Sequence, residues 1–161
     1  MKIILFVLLL TSIVFPKTYE FTETRYSNAL DKERKLYGVI YFLDKGVRIK
    51  YNDTDIELLY KDGDFEYLKG GEKLTLQEGQ KSYLTNFFKT IYLIHKNNFQ
   101  KLSNNFSVVR KEHMIILYPT DVSKDYVEKL KIAQTNKQVD KITLYLMNGD
   151  YIDIGIGNEI Y

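Results

Sequence analysis

The segment at residues 38–67 constrains the fold more than any other part of the chain, because its residues alternate between apolar and polar types. Within it, Val47, Ile49 and Tyr51 fall on one side of an extended segment, with charged residues between them. A period of two is typical of a strand that is buried on one face. The Asp-Gly pair at positions 62 and 63 is a strong hairpin signal, because glycine readily adopts a positive φ. The segment therefore predicts consecutive antiparallel strands that share one apolar face.

The composition indicates a folded domain and excludes several classes of protein. Of the 161 residues, 45% are hydrophobic, which is enough for a core and argues against a disordered chain. The sequence contains no cysteine, which excludes a disulfide scaffold, a zinc-thiolate site and a thiol nucleophile. The formal net charge is only +2, whereas a nucleic-acid partner usually requires a clustered basic surface. We therefore expect no nucleic-acid partner.

The N-terminal segment, residues 1–17, has the pattern of a secretory signal peptide. A short head containing Lys2 precedes a run of apolar residues at positions 3–14. A helix that spans a bilayer needs about 20 such residues, so the run is better matched to a signal peptide. An uncleaved N-terminal anchor is the alternative, and both interpretations place the remainder outside the cytoplasm. We expect one domain over residues 18–161.

The rest of the chain predicts a mainly β protein, with about ten antiparallel strands in a curved sheet and one helix. Apolar residues recur every three or four positions at residues 80–97, which indicates an amphipathic helix. The charged run at residues 31–35 predicts a turn, and residues 121–125 predict a loop or a single helical turn. Alternation predicts strands at residues 18–28, 36–43, 47–51, 56–60, 65–68, 73–77, 106–110, 114–118, 127–134, 139–147 and 151–156.

The sequence offers little that could support catalysis. His95 and His113 have no partner at a metal-binding spacing, and no serine lies in a nucleophile elbow. The acidic residues are scattered across predicted turns, where turn chemistry accounts for Asp44, Asp53, Asp62 and Asp121. We therefore predict no enzyme activity, no catalytic residues, no metal site and no cofactor; a hydrolase that uses the two histidines is a third and weaker hypothesis.

The apolar faces of the strands allow two interiors. A curved sheet can close over its own side chains, which is the more common arrangement, or it can stay open and leave a cavity beneath the helix. Bulky aromatic residues favour the cavity, because apolar ligands are bound mainly by such linings. The residues concerned are Phe87, Phe88, Tyr92, Tyr51, Tyr60 and Tyr67.

The order of the strands and turns resembles that of a known family. The run GVIYFLDKGVRIKY followed by IELLYKDGDFEYL, and the later segments FSVV, MIILYP and KITLYLMNGDYIDIGI, are similar to the periplasmic outer-membrane lipoprotein carrier family (LolA-type). The resemblance covers most of residues 38–156 and is that of a short, divergent member. It implies an unclosed antiparallel β-barrel with a helical lid.

The resemblance also implies a function. The family's carriers act as periplasmic chaperones: they receive acylated lipoproteins from an inner-membrane lipoprotein-releasing transporter, shield the acyl chains, and pass them to an outer-membrane acceptor. The acceptor relative is itself a lipoprotein and needs a cysteine, so the soluble carrier is the nearer match. The implied acyl-binding cavity consists of Val47, Ile49, Tyr51, Ile56, Leu58, Phe65 and Tyr67. The implied lid helix carries Leu84, Phe87, Phe88 and Ile91.

The sequence departs from the family at two points. A strand, and not a helix, is predicted directly after the signal segment. The first hairpin turn reads Leu-Asp-Lys-Gly at positions 43–46, without the arginine and proline that often hold the family's lid in place. The alternative function is a secreted β-rich structural or protein-interaction module with a filled core and no ligand. Saturable binding of an apolar probe by the native protein would distinguish the two.

Overall fold

The computed structural model describes residues 16–136 and 138–160, and these residues form one antiparallel sheet with two helices. The helices are α1 (Glu78–His95) and α2 (Phe99–Leu102), and a short 3-10 turn spans Val122–Asp125. The predicted signal segment lies outside the described residues, except for its last two positions. The eleven strands are β1 (Lys17–Ser27), β2 (Lys32–Leu43), β3 (Gly46–Tyr51), β4 (Ile56–Lys61), β5 (Asp64–Lys69), β6 (Glu72–Leu74), β7 (Phe106–Lys111), β8 (Met114–Pro119), β9 (Val127–Thr135), β10 (Gln138–Leu146) and β11 (Tyr151–Ile160).

The sheet is continuous but not closed. Its strand order is β6-β5-β4-β3-β2-β1-β11-β10-β9-β8-β7, so β6 and β7 are the two edges. The first and last strands, β1 and β11, pair with each other near the middle of the sheet. This pairing divides the sheet into an N-terminal half (β1–β6) and a C-terminal half (β7–β11). The predicted fold class, a mainly β unclosed antiparallel sheet with a covering helix, is confirmed.

The hairpin between β4 and β5 has the geometry that its sequence predicts. Asp62 and Gly63 both adopt positive φ angles, 51° and 91°. Positive φ at both central residues defines the two-residue turn that matches the twist of paired strands. The register of this hairpin places Tyr60 opposite Phe65.

Four sequence predictions need correction. Of the charged run at residues 31–35 only Asp31 lies in a turn, because β2 begins at Lys32 and its first four residues pair with β1. These residues are exposed, so a strand that extends beyond the core accommodates their charges. The predicted strand at 73–77 is only Glu72–Leu74, and the short helix α2 was not predicted. Helix α1 begins and ends two residues earlier than its periodicity indicates.

Helix α1 lies on the concave side of the sheet, and its two flanks face different halves of the sheet. Phe88 packs against Phe65 of β5 and Tyr92 against Tyr60 of β4, with ring centroids 5.1 and 6.4 Å apart. The helix also contacts β10, which lies five places from β4 in the sheet order. Because one helix is only about 10–12 Å wide, the sheet must curve around it to make both contacts.

The core occupies this concave side. Ile91 and Ile94 of α1 are at most 1% exposed and pack onto the sheet. They belong to a single cluster of buried residues that extends from β1–β5 to β8–β11. In the part of the chain that the structure describes, neither helix combines the length and the apolar character that a membrane span requires.

Candidate functional site: a cavity beside helix α1

A cavity of about 370 Å³ lies between α1 and the C-terminal half of the sheet, and it opens to solvent. Helix α1 forms one wall, β9 and β10 form the opposite wall, and α2 with the residues after it closes one end. Its apolar lining consists of Phe87, Leu93, Leu102, Phe106, Val127, Leu130 and Leu144, together with the ring of Tyr83.

The two flanks of α1 meet the sheet differently. The flank toward β4 and β5 carries Phe88 and Tyr92, whose rings pack on aromatic rings of the sheet. On the opposite flank a gap remains before β10, and it is lined from the helix by Tyr83, Asn86, Phe87, Lys89, Thr90 and Leu93. The short helix α2 spans only four residues, so it covers little of this half.

Polar groups of the cavity lie toward its opening or are already satisfied. The hydroxyl of Thr90 donates a hydrogen bond to the backbone oxygen of Asn86 at 2.8 Å, so it needs no partner from a ligand. Burial raises the pKa of Tyr83, which therefore stays neutral near pH 7. The remaining polar residues of the lining are Asn86, Lys89, Lys101, Asn104, Asn105 and Asp121, and they form its rim.

The structure places the predicted acyl-binding residues in the N-terminal half, outside the lining of this cavity. Five of them are buried, namely Val47, Ile49, Tyr51, Leu58 and Phe65, while Ile56 and Tyr67 are half-buried. They form part of the core beneath α1. Their role in binding a ligand therefore stays a prediction that depends on a movement of the helix.

The predicted lid residues divide between the two flanks. Phe88 and Ile91 are buried against the sheet, and Leu84 is half-buried. Phe87 alone among the residues predicted for the site lines the cavity. Sequence reasoning missed Leu130 and Leu144, although β9 and β10 show the same alternation as β3 and β4, because alternation does not indicate which half a helix covers.

The C-terminal end of α1 is fastened to the turn between β2 and β3. The hydroxyl of Tyr92 donates a hydrogen bond to the backbone oxygen of Asp44 at 2.7 Å. One turn further on, the ring of His95 stacks on Phe42 of β2, with centroids 3.6 Å apart. Burial, with smaller contributions from Lys96 and Lys17, lowers the pKa of His95 to about 4, so the stacked imidazole is neutral at pH 7. These contacts hold the C-terminal end of α1 against β2 and the turn that follows it.

A buried carboxylate interrupts the apolar concave face. Glu23 of β1 is 3% exposed, and it accepts a hydrogen bond of 2.6 Å from the hydroxyl of Tyr51. Arg25 forms an ion pair with the same carboxylate. Burial, and then the charge of Glu23, raise the pKa of the Tyr51 hydroxyl. Tyr51 therefore presents its ring, and not a free hydroxyl, to the apolar face, where it packs on Phe21 at 5.5 Å.

Within the described ranges, no group of three or more histidine, aspartate or glutamate side chains could hold a metal ion. The arrangement of the site is that of a binding cavity with an apolar interior and a polar rim, which suits an amphiphilic ligand.

No protein-family model and no curated protein sequence matches this chain. Among solved structures, the chain is similar to a LolA superfamily protein from Nitrosomonas europaea, with 10% identity and a TM-score of 0.42 over 90% of this chain and 85% of that one. It is also similar to a domain from Vibrio parahaemolyticus named for outer-membrane lipoprotein sorting, with 6% identity and a TM-score of 0.35 over 91% of this chain and 85% of that one.

Proposed function

We propose that the protein is a periplasmic carrier that shields the acyl chain of a lipid-modified protein in the cavity beside α1. The observation that supports this is the cavity itself, about 370 Å³ in volume and lined mainly by apolar side chains. Sites for small ligands are typically about 300–1,000 Å³ and mostly apolar. The resemblance of the sequence to lipoprotein carriers is the second support.

Partitioning of the acyl chain supplies the binding free energy. Each methylene that moves from water into the cavity contributes about 0.8 kcal/mol, so eight of them contribute roughly 6 kcal/mol before ordering costs. Release then requires an acceptor with a more favourable apolar site. We propose that an inner-membrane lipoprotein-releasing transporter supplies the cargo and that an outer-membrane acceptor receives it.

The predicted residues in the N-terminal half form a second part of this proposed site. Val47, Ile49 and Phe65 lie under α1 and are continuous with the core that borders the cavity. If α1 rises from β4 and β5, these side chains extend the apolar surface that is available to a long chain. The loaded protein then differs from the present arrangement in the position of α1.

Direct binding measurements test the carrier proposal. The native protein is titrated with a fluorescent apolar probe and with vesicles that contain a triacylated peptide. We expect saturable probe binding with a stoichiometry near one, and soluble complexes of protein and peptide. Leu144→Phe adds volume to the cavity lining and should reduce both. Val109→Phe introduces a phenylalanine on β7, where the native side chain is 40% exposed and does not line the cavity, and this variant serves as the control.

A filled interior gives a different result. If the native protein binds no probe and leaves the acylated peptide on the vesicles at every protein concentration, the carrier proposal is wrong. The β-rich interaction module without a ligand would then remain.

A reversible crosslink tests the movement of α1. Because the sequence contains no cysteine, a pair introduced by Asp64→Cys and Lys81→Cys is the only thiol pair in the protein. The two native side chains form an ion pair of 2.6 Å between β5 and α1 and are about half exposed, so a short bis-methanethiosulfonate reagent can bridge the cysteines without opening the core. The crosslinked protein should bind short acyl chains and lose long ones, while the protein released by reduction binds both. Equal binding of long chains by both forms would exclude the residues beneath α1 from the site.

A further inference from the structure

We infer that the cavity also accepts free single-chain lipids that end in an anionic group, with Lys89 and Lys101 binding that group at the rim. This inference rests on the proposed use of the cavity for acyl chains, and it adds the class of head group that the opening selects.

The two lysines approach the opening from different elements. Lys89 belongs to α1 and Lys101 to α2, and both line the cavity with exposed side chains. An acyl chain inserted between α1 and β10 would leave its polar end at this rim, because the interior is lined by leucine and phenylalanine side chains. The inserted acyl chain therefore determines where the head group lies.

Neither ammonium group has an ion-pair partner within the described residues, which distinguishes these lysines from several others. Lys73, Lys81, Lys129 and Lys141 each lie within ion-pairing distance of a carboxylate. The ammonium groups of Lys89 and Lys101 are thus available to a ligand without the loss of an existing contact.

The rim has a net positive charge. Asp121 is its one carboxylate among the described lining residues, and it already has an interaction partner within the chain. The side-chain amides of Asn86, Asn104 and Asn105 can donate further hydrogen bonds to an anion. Two cations and three amide donors around an apolar opening are complementary to a carboxylate or a phosphate on a chain, and they offer less to an uncharged head group.

The expected preference is modest and depends on salt. Exposed ion pairs contribute little each, so two of them give about tenfold in affinity at low ionic strength. Screening should reduce this preference as salt is added, while the contribution of the chain itself is unaffected.

The test compares lipids that share one chain and differ only in the head group. Palmitate, palmitoyl lysophosphatidate and uncharged monopalmitoylglycerol, each below its micellar concentration, displace a bound fluorescent apolar probe from the full protein. We expect both anionic lipids to bind about tenfold more tightly than the uncharged one, and the ratio between the two anions identifies carboxylate or phosphate as the preferred group.

Charge-removing variants assign the effect to the rim. Lys89→Gln with Lys101→Gln should weaken both anions about tenfold and change monopalmitoylglycerol less than twofold. The control, Lys35→Gln with Lys50→Gln, removes the same charge from exposed positions on β2 and β3 and should change no lipid more than twofold.

Equal affinity of the native protein for palmitate and monopalmitoylglycerol would overturn the inference, as would an unchanged palmitate affinity in the Lys89/Lys101 variant. In both cases the uncharged lipid still binds, so the carrier proposal would stand. Failure of all three lipids to displace the probe would contradict both.

Discussion

The strands in both halves of the sheet alternate between apolar and polar residues, but the space over their buried faces is filled in one half and partly empty in the other. In the N-terminal half, Val47, Ile49 and Phe65 are at most 2% exposed, and α1 lies directly over them. In the C-terminal half, Leu130 and Leu144 are equally buried, yet both border the cavity. The difference shows that a buried strand face is not evidence of a filled interior.

The dimensions of the elements account for this difference. A helix of 18 residues is about 27 Å long and about 10–12 Å wide. Eleven strands at about 4.8 Å spacing span roughly 48 Å around the curve of the sheet. One helix cannot fill the concave side of such a sheet, so the half that α1 contacts through Phe88 and Tyr92 is packed and a gap remains on the other side.

The largest expected effect concerns the packed half. Phe65→Ala removes a ring that is 1% exposed and packs on Phe88, and it should lower the free energy of unfolding by about 3–5 kcal/mol. Phe87→Ala removes a half-buried ring beside the cavity and should cost roughly half as much or less. Urea unfolding measures both values. Equal losses of unfolding free energy in the two variants would show that both flanks of α1 are packed equally well.

Enlarging a side chain should also distinguish the two halves, because it should destabilise the packed half more than the half that borders the cavity. Ile49→Phe places a larger side chain in a filled interior and should cost about 1–3 kcal/mol. Leu144→Phe places it beside the cavity, where space is available, and should change the free energy of unfolding by less than about 1 kcal/mol. A large loss in the second variant would show that the cavity wall is rigid and that the space is not usable.

The contact between His95 and Phe42 should make stability depend on pH. Because the pKa of His95 is about 4 in the folded protein and ordinarily 6.5, the unfolded chain binds more protons between these values. The free energy of unfolding should therefore fall as the pH drops through this window, by about 1 kcal/mol after allowance for the partial exposure of the ring.

Thermal unfolding at pH 7 and pH 4.5 measures this dependence. His95→Phe should reduce the difference between the two conditions, since the ring contact is kept and the titrating group is removed. His113→Gln, in the exposed turn between β7 and β8, is the control. If His95→Phe leaves the difference unchanged, other groups cause it.

The smallest expected effect concerns the attachment of α1. Tyr92→Phe removes the hydrogen bond to the backbone oxygen of Asp44 and should cost about 0.5–1 kcal/mol. Hydrogen exchange of the amides near His95 should become faster, while exchange in β9 and β10 stays the same. Exchange that increases equally in both halves would mean that the bond contributes to global stability and does not hold the helix.

The sequence predicted most of the fold because its local signals agree with one another. Alternation predicted the strands, turn residues such as Gly63 predicted the hairpins, and a change of period predicted α1. The prediction was wrong at residues 32–35, where charge indicates a turn but an exposed extension of β2 tolerates it. Local patterns do not reveal whether a strand continues past the core.

The site was harder to predict than the fold. The aromatic residues of β3–β5 and α1 suggested a cavity lining, yet aromatic rings such as Phe65 and Phe88 fill space against each other when they meet. The cavity of about 370 Å³ lies on the other flank of α1, where Tyr83, Phe87 and Leu93 line a gap to the sheet. Sequence periodicity places these residues on the helix but does not show which strands oppose them.

The sequence by itself determined the strands, their apolar faces, the helix and the absence of thiol chemistry, because each of these depends on neighbouring residues along the chain. The tertiary structure alone decided which half of the sheet α1 fills, that Tyr92 reaches the turn at Asp44, and that Lys89 and Lys101 both line one cavity. These arrangements depend on side chains that are distant in sequence, and their positions follow from how one helix packs into a sheet too wide for it.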